Sequence, residues 1–260
     1  MYCSCQKLLN AIELINPRCS ACGGAPVKQA TEHLFLDLPR LHDPLTTFFE
    51  KTSVEGGWSK NGVAITRDWL QRGLQPRCIT RDLKWGTPVP KEGFTDKVFY
   101  VWFDAPIGYL SITAKEMPND WKKWWQGGDD VKLYQFIGKD NVPFHSIIFP
   151  ASCMATGDPY VLVNTLSTTE YLQYEAGLKF SKSKNTGVFG DQVASTRIPP
   201  EVWRYYLLST RPESADTEFN WDDVLARTNG ELLANLGNFV NRLLAFVSTK
   251  LGGIVPAVGM

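Results

Sequence analysis

The stretch Gly177-Leu178-Lys179-Phe180-Ser181-Lys182-Ser183-Lys184, followed by Gly187-Val188-Phe189-Gly190, gathers mobile cations and hydroxyl donors into one short loop. That combination suits phosphate chemistry. Lys182 lies between two serines, with no apolar neighbour to bury its ammonium, and Gly177, Gly187 and Gly190 let the backbone bend and approach a ligand closely. A compact ammonium on a flexible stem brings a point charge to a polyphosphate. By composition alone, the same loop reads first as a solvated Lys/Ser turn.

A second constellation is Gly138-Lys139-Asp140, directly after the apolar run Leu133-Tyr134-Gln135-Phe136-Ile137. It offers a close backbone approach, a cation for phosphate, and a carboxylate able to accept hydrogen bonds from ribose hydroxyls. A surface turn fits the same three residues, and Asp140 also suits a helix N-cap. Cys3, Cys5, Cys19 and Cys22 invite a zinc reading: Cys19-x2-Cys22 is a normal half-knuckle, whereas Cys3-x-Cys5 lacks the two-residue spacer. Cys78 and Cys153 stand alone and read as buried thiols. Nothing matches a P-loop, a zincin or a three-glycine dinucleotide fingerprint.

The frame that must position these residues is bounded by composition. The 260 residues suffice for a sizeable core and for two or three compact units. With 27 basic and 27 acidic residues there is no net pull toward nucleic acid or membrane, so any RNA contact needs a local patch. No run approaches the length of a membrane-spanning helix, and the start has no basic region followed by an apolar one, so a cytosolic, reducing compartment is expected.

Along the chain, residues 1 to about 28 read as a small Cys-bearing ribbon, and about 29 to 95 as an irregular inserted subdomain. Val98-Phe99-Tyr100-Val101-Trp102-Phe103 predicts a strand, with a helix from Ile107 to Lys115. Leu133 to Ile137 predicts a second strand leading through Gly138 into a helix with Pro143 in its first turn, and Tyr160 to Leu166 a third. Apolar strands alternating with helices imply a parallel α/β sheet, whose ligands sit beyond the carboxyl ends of the strands. Helices are expected at Glu201 to Ser209 and from about Asp222 to Leu251, the latter amphipathic and stopped by Gly252-Gly253.

Lys179-Phe180-Ser181-Lys182-Ser183 resembles the KMSKS signature of class I aminoacyl-tRNA synthetases, with Phe180 where that signature usually has Met. The resemblance to methionyl-tRNA synthetases of the eukaryotic cytosolic type extends through Phe35 to Pro39, Arg77 to Pro90, Tyr100 to Tyr109, Gly138 to His145 and Asn235 to Phe239. It implies the C-terminal half of a class I synthetase Rossmann-like parallel sheet, with an N-terminal Cys-bearing knuckle insertion and a C-terminal helical segment. Residues 1–95 would belong to the connective-peptide and knuckle subdomain, 96–172 to the second Rossmann half, 173–225 to the KMSKS-loop and stem-contact region, and 226–260 to the start of an anticodon-binding helical bundle. The implied activity is ATP-dependent formation of methionyl-adenylate and transfer of the methionyl group to tRNA(Met) in the cytosol, with Mg2+ accompanying ATP, Zn2+ at the knuckle, and a multi-synthetase complex as a further partner. Neither a membrane nor DNA is implied.

By the same resemblance, Lys182 leads catalysis with Lys179 and Lys139. Gly138, Asp140, Lys179, Ser181, Lys182 and Ser183 bind ATP, while Phe180 anchors the loop. Trp102, Ala105, Pro106, Tyr109 and His145 line the methionine pocket, where a thioether needs an aromatic, polarisable wall and one weak polar contact. The chain departs from the family at the knuckle, where the partner of Cys5 falls on Tyr2. It also lacks a His-x-Gly-His signature, its histidines being His33, His42 and His145. The chain alone is therefore expected to be inactive and, with half a sheet, poorly soluble. The alternative is a non-catalytic module that binds nucleotide, tRNA or a synthetase partner, with Arg197, Arg204 and Arg211 near the loop. A synthetase for isoleucine or valine is disfavoured by the Trp102 to Tyr109 block.

Overall fold

The computed structural model describes residues 15–18, 23–25 and 30–255. In chain order its elements are β1 (Phe35–Leu36), α1 (His42–Glu55), α2 (Lys60–Gln71), β2 (Arg77–Cys78), β3 (Thr80–Arg81), β4 (Val98–Phe99), α3 (Val101–Glu116) and α4 (Trp121–Trp125). There follow β5 (Leu133–Gly138), a π-helical turn (Phe144–Ile148) running into α5 (Phe149–Thr156), β6 (Val163–Thr169), β7 (Leu172–Tyr174), α6 (Gly190–Val193) and α7 (Pro200–Ser209). The last are β8 (Thr217–Phe219), α8 (Trp221–Arg227), a second π-helical stretch (Thr228–Gly237) and α9 (Asn238–Lys250). Strands pair two by two: β1 with β2 and β3 with β4 antiparallel, β5 with β6 and β7 with β8 parallel. The fold is α/β with parallel pairs, as the alternation of apolar runs and helices predicts.

Helix periodicity decides what is buried. α1 buries Leu45, Phe49 and Ser53, and α2 buries Gly62, Thr66 and Leu70, each set at four-residue spacing along one face. These faces meet β5, β6 and α5 in one core that includes Leu38, Trp58, Val142, Ile147, Ala151, Val163 and Leu166. Residues 38–74 thus form two ordered helices inside the sheet's own core, where the sequence suggests an irregular insertion; the Pro, Gly and charged turns there lie between helices rather than throughout.

The turn between α1 and α2 runs along the free edge of β6. Ser59 N–H donates to the Leu166 carbonyl (3.0 Å), Thr168 N–H to Ser59 Oγ (2.9 Å), and Trp58 Nε1 to the Asn164 carbonyl (2.8 Å). A Cβ on Gly56 would fall 1.7 Å from the Asn164 carbonyl oxygen, so the close approach requires glycine. Unpaired strand edges invite other chains, and this one is covered. On β5, Tyr134 and Phe136 remain exposed.

A second core gathers Trp203, Tyr206, Phe219 and Val224 with Tyr174, Phe180 and Trp221. Asn220 begins α8 by accepting from the N–H groups of Asp222 and Asp223 (2.8 and 3.3 Å), and those two acids in the first turn suit the helix dipole.

Three predicted elements differ. Val98 to Phe103 is a strand only at Val98–Phe99, in an antiparallel pair outside the parallel sheet, and the chain is helical from Val101. A short apolar run fits strand and helix alike, and the length of α3 settles it. The third strand is Val163–Thr169 rather than Tyr160 to Leu166, because Val161 N–H is drawn to the Trp125 carbonyl (2.7 Å) before the ladder begins. The final helix is continuous from Trp221 but passes through a π-helical stretch at 228–237, and Leu233, Phe239 and Leu244 are exposed.

Candidate functional site

The carboxyl ends of β5 and β6 lie side by side, with Gly138 opposite Thr169. A side chain at Gly138 would meet open space, so a ligand has room to approach the backbone there. A single 3-10 turn, Lys139–Asn141, follows. The Asp140 side chain caps neither that turn nor the next; it accepts a hydrogen bond from the Tyr171 hydroxyl, just past the end of β6.

Lys139, expected to face phosphate, is paired with two carboxylates. Its ammonium lies 2.5 Å from Glu170 Oε2 and 3.2 Å from Asp216 Oδ1, and 4.2 Å from the centre of the Tyr171 ring. The carboxylate contacts hold its pKa above the ordinary lysine value against partial burial, and Lys139 in turn holds Glu170 below the ordinary glutamate value. A cation neutralised by two carboxylates has little left to offer a phosphate.

Of the five residues expected to line an apolar pocket, Trp102 and Tyr109 on α3 meet the π-helical turn that carries His145. Trp102 packs edge-on against Phe144 (4.5 Å), and Tyr109 packs edge-on against Phe149 (6.0 Å) and tilted against His145 (5.7 Å). Pro106 is buried, Trp102 half-buried, and Ala105 exposed. Trp102 and Tyr109 are carried there by α3 and not by the end of a parallel strand, whereas His145 follows the end of β5. The π turn brings His145 inward, leaving it 7% exposed; its Nε2 is 2.9 Å from the Tyr109 hydroxyl and its Nδ1 is 2.8 Å from the Asn141 carbonyl oxygen. Burial lowers its pKa below the ordinary histidine value.

The Lys/Ser loop is a tight hairpin. Ser181 and Thr186 exchange backbone hydrogen bonds (2.9 and 3.0 Å), Lys182–Lys184 form a 3-10 turn, and Asn185 closes it in the left-handed region at φ 50°. Phe180 anchors it, edge-on to Tyr174 (5.5 Å) and Phe189 (6.3 Å). Gly187, at φ 121°, leaves the space that Phe180 fills: a Cβ there would be 2.3 Å from the ring. Lys179, Lys182 and Ser183 are exposed and Ser181 half-buried. Lys182 Nζ lies 5.7 Å from the Phe189 ring centre, and among the described residues it makes no ion pair.

Cys3, Cys5, Cys19 and Cys22 lie outside the described residues. Among the described residues no cluster of three His, Cys, Asp or Glu side chains is placed to hold a metal. Cys153 is buried and its thiol pushed up to about 11; Cys78 is half-buried beside Arg81 Nη1 (3.3 Å). Arg211 is committed to Glu213 (3.1 Å) and Ser167 Oγ (2.6 Å), which subtracts it from an RNA-binding patch. A cleft of about 870 Å3 lined by Thr47, Lys51, Tyr134, Val163 and Thr165 lies at the amino ends of β5 and β6 and holds none of these residues.

Sequence reasoning missed Glu170, Tyr171 and Asp216. The first two follow the end of β6; placing that end at Leu166 instead of Thr169 hid them. Asp216, 77 residues from Lys139, has no local signal.

The family of tRNA synthetases class I (M) matches residues 1–244. The "Probable methionine--tRNA ligase, cytoplasmic" of Dictyostelium discoideum is 60% identical over 257 residues, covering 98% of this chain and 34% of that protein. The "Methionine--tRNA ligase, cytoplasmic" of Saccharomyces cerevisiae is 56% identical over 252 residues, 97% of this chain and 33% of that protein. Among solved structures, Mycobacterium tuberculosis methionyl-tRNA synthetase bound by methionyl-adenylate superposes with a TM-score of 0.71 at 25% identity, over 94% of this chain and 46% of that one. The chain spans about a third of the length of the curated relatives it matches.

Proposed function

This chain belongs to the tRNA synthetases class I (M), and from that premise we propose that the whole protein activates methionine with ATP and transfers it to tRNA(Met). The observation that carries the proposal is the anchored hairpin: Phe180 fixed among aromatic rings holds Lys182 out to solvent without an ion-pair partner among the described residues. In adenylate formation the methionine carboxylate attacks the α-phosphate and pyrophosphate leaves. Lys182, supported by Lys179 and the hydroxyls of Ser181 and Ser183, stabilises the charge that develops on the phosphates, an effect that operates mainly in the transition state. The Gly138 backbone and Asp140 take the nucleoside, with the Asp140 carboxylate accepting from ribose hydroxyls. Trp102, Ala105, Pro106, Tyr109 and His145 enclose the methionine side chain.

In this reading β5, β6 and their helices are the second half of a Rossmann-like sheet. Residues 173–225 carry the phosphate loop against it, 226–260 begin an RNA-reading helical bundle, and the Cys-bearing start within 1–95 is a knuckle. Zn2+ would belong to Cys3, Cys5, Cys19 and Cys22, and Mg2+ would arrive on ATP. The cytosolic setting follows the names of the relatives. A multi-synthetase complex is kept as a further partner.

Methionine-dependent ATP–pyrophosphate exchange by the full-length protein tests the reading. Exchange that requires methionine and is lost in Lys182→Ala is expected. Exchange that depends on another amino acid, or that survives this substitution unchanged, would overturn it.

A further inference from the structure

The core around Trp58 and Leu166 and the core around Tyr206 and Phe219 share no residue, and between them lies a knot of charged groups centred on Lys139. Glu170, one partner of Lys139, accepts from Asn61 Nδ2 (2.9 Å) in the first turn of α2, and its N–H donates to the Pro212 carbonyl (2.8 Å). Asp216, the other partner, accepts from Tyr171 N–H (2.9 Å) and from Gln173 Nε2 (3.3 Å). Asp216 immediately precedes β8, and Gln173 lies within β7. Tyr171 stacks under the Lys139 ammonium and donates to Asp140. From this knot the parallel pair β7–β8 runs directly to the hairpin: Tyr174 lies opposite Phe219, stacks on it (5.9 Å), and meets Phe180 edge-on (5.5 Å). Gly177 N–H is tied to Glu218 Oε2 (2.8 Å).

We infer that Lys139 is a positioning residue: a charged pin that fixes the β7–β8 unit, and with it the Lys182 hairpin, in register with the strand end that carries Asp140. It acts through Glu170 and Asp216 and does not itself touch phosphate. A single ammonium bridging carboxylates from two separately packed units holds both at one angle, and a small misplacement of a catalytic cation costs much of its effect. The inference rests on the proposed function for its catalytic consequence but not for its structural one.

Two measurements separate these. Hydrogen exchange on the full-length protein reads the joint without any activity. In Lys139→Met and Asp216→Asn, the hairpin and β7 amides at 174, 178, 181 and 186 should lose protection while those of α5 keep theirs; Lys139→Arg should keep both. Asp216→Asn retains an acceptor for Tyr171 N–H and serves if Lys139→Met fails to fold. Unchanged protection at the hairpin overturns the inference. In the full-length protein, Lys139→Met and Asp216→Asn should each slow exchange turnover roughly 10- to 100-fold with KM for ATP changed less than about two-fold. The double variant should be no slower than the worse single one. Multiplying effects, or an Asp216→Asn variant with wild-type turnover, would assign Lys139 to phosphate instead. Absence of any methionine-dependent exchange by the wild type would remove the proposed function while leaving the hydrogen-exchange result to decide the joint.

Discussion

The Tyr109 hydroxyl donates to His145 Nε2, and this direction is fixed from the far side of the ring. His145 Nδ1 faces the Asn141 carbonyl oxygen, which only accepts, so Nδ1 carries the hydrogen. Burial disfavours a second proton, which leaves Nε2 bare.

That arrangement predicts a pH dependence. Because the folded-state pKa of His145 is depressed, the unfolded chain binds a proton first as pH falls below about 6.5. The stability contributed by neutral His145 is complete above that value and declines as pH drops toward the folded pKa. His42, raised chiefly by its hydrogen bond to Asp43, has the opposite sign: its contribution is present below about 6.5 and is lost as pH rises through its folded pKa. Comparing thermal midpoints between pH 7 and 5 for wild type and His145→Gln isolates the buried ring. Wild type should lose more on acidification, and equal losses would show that His145 is not the group titrating.

Lys182 stands at the tip of the hairpin with its ammonium in solvent, so its removal should leave folding intact. Lys182→Ala should lower methionine-dependent exchange by roughly 100- to 1,000-fold. Its thermal midpoint should match wild type, and a fall in the midpoint comparable to the loss of activity would place the residue in the scaffold.

Gly187→Ala attacks the same hairpin without touching a cation. A side chain at φ 121°, 2.3 Å from the Phe180 ring, forces either the backbone or Phe180 to move. The expected local cost is about 1–3 kcal/mol. Exchange should slow while Lys182 is still present, and hydrogen exchange at 181 and 186 should rise. Full activity in this variant would mean that hairpin placement is not critical.

Gly56→Ala places the new methyl against the Asn164 carbonyl of β6. Overpacking of this kind costs about 3 kcal/mol, or a drop of roughly 6–12 °C in thermal midpoint for a chain of this size. Calorimetry checks it, and a drop under about 2 °C would show that the turn shifts away freely.

The exposed apolar side chains Tyr134 and Phe136 on β5, and Leu233, Phe239 and Leu244 on the last helical span, predict self-association of the 260-residue chain. Light scattering should report it at micromolar concentration, and Phe136→Lys should reduce it. A monodisperse wild-type monomer would contradict the expectation.

Local signals were read well where one residue type has one physical meaning. Gly187 marks a bend, Phe180 an anchor, and the amphipathic span from about Asp222 to Leu251 a helix. The apolar run at Val98 misled because six such residues fit a strand or a buried helix, and only the packing of α3 on the π turn separates them. The π turn itself leaves no mark in the sequence, since no residue preference announces hydrogen bonds to the fifth residue along instead of the fourth. Lys139 shows the deeper limit: the sequence supplies a cation at a strand end, but whether it meets a ligand or two carboxylates depends on Asp216, far along the chain.

The α1–α2 turn against β6 gives the parallel sheet a direction of growth. Gly56 to Ser59 hydrogen-bond along that strand much as a neighbour would, so nothing more can join on that side without dismantling the turn. Any further strand, whether from the same protein or from another copy, has only the β5 side to join. The order of a larger sheet is thereby set by a four-residue turn rather than by the strands themselves.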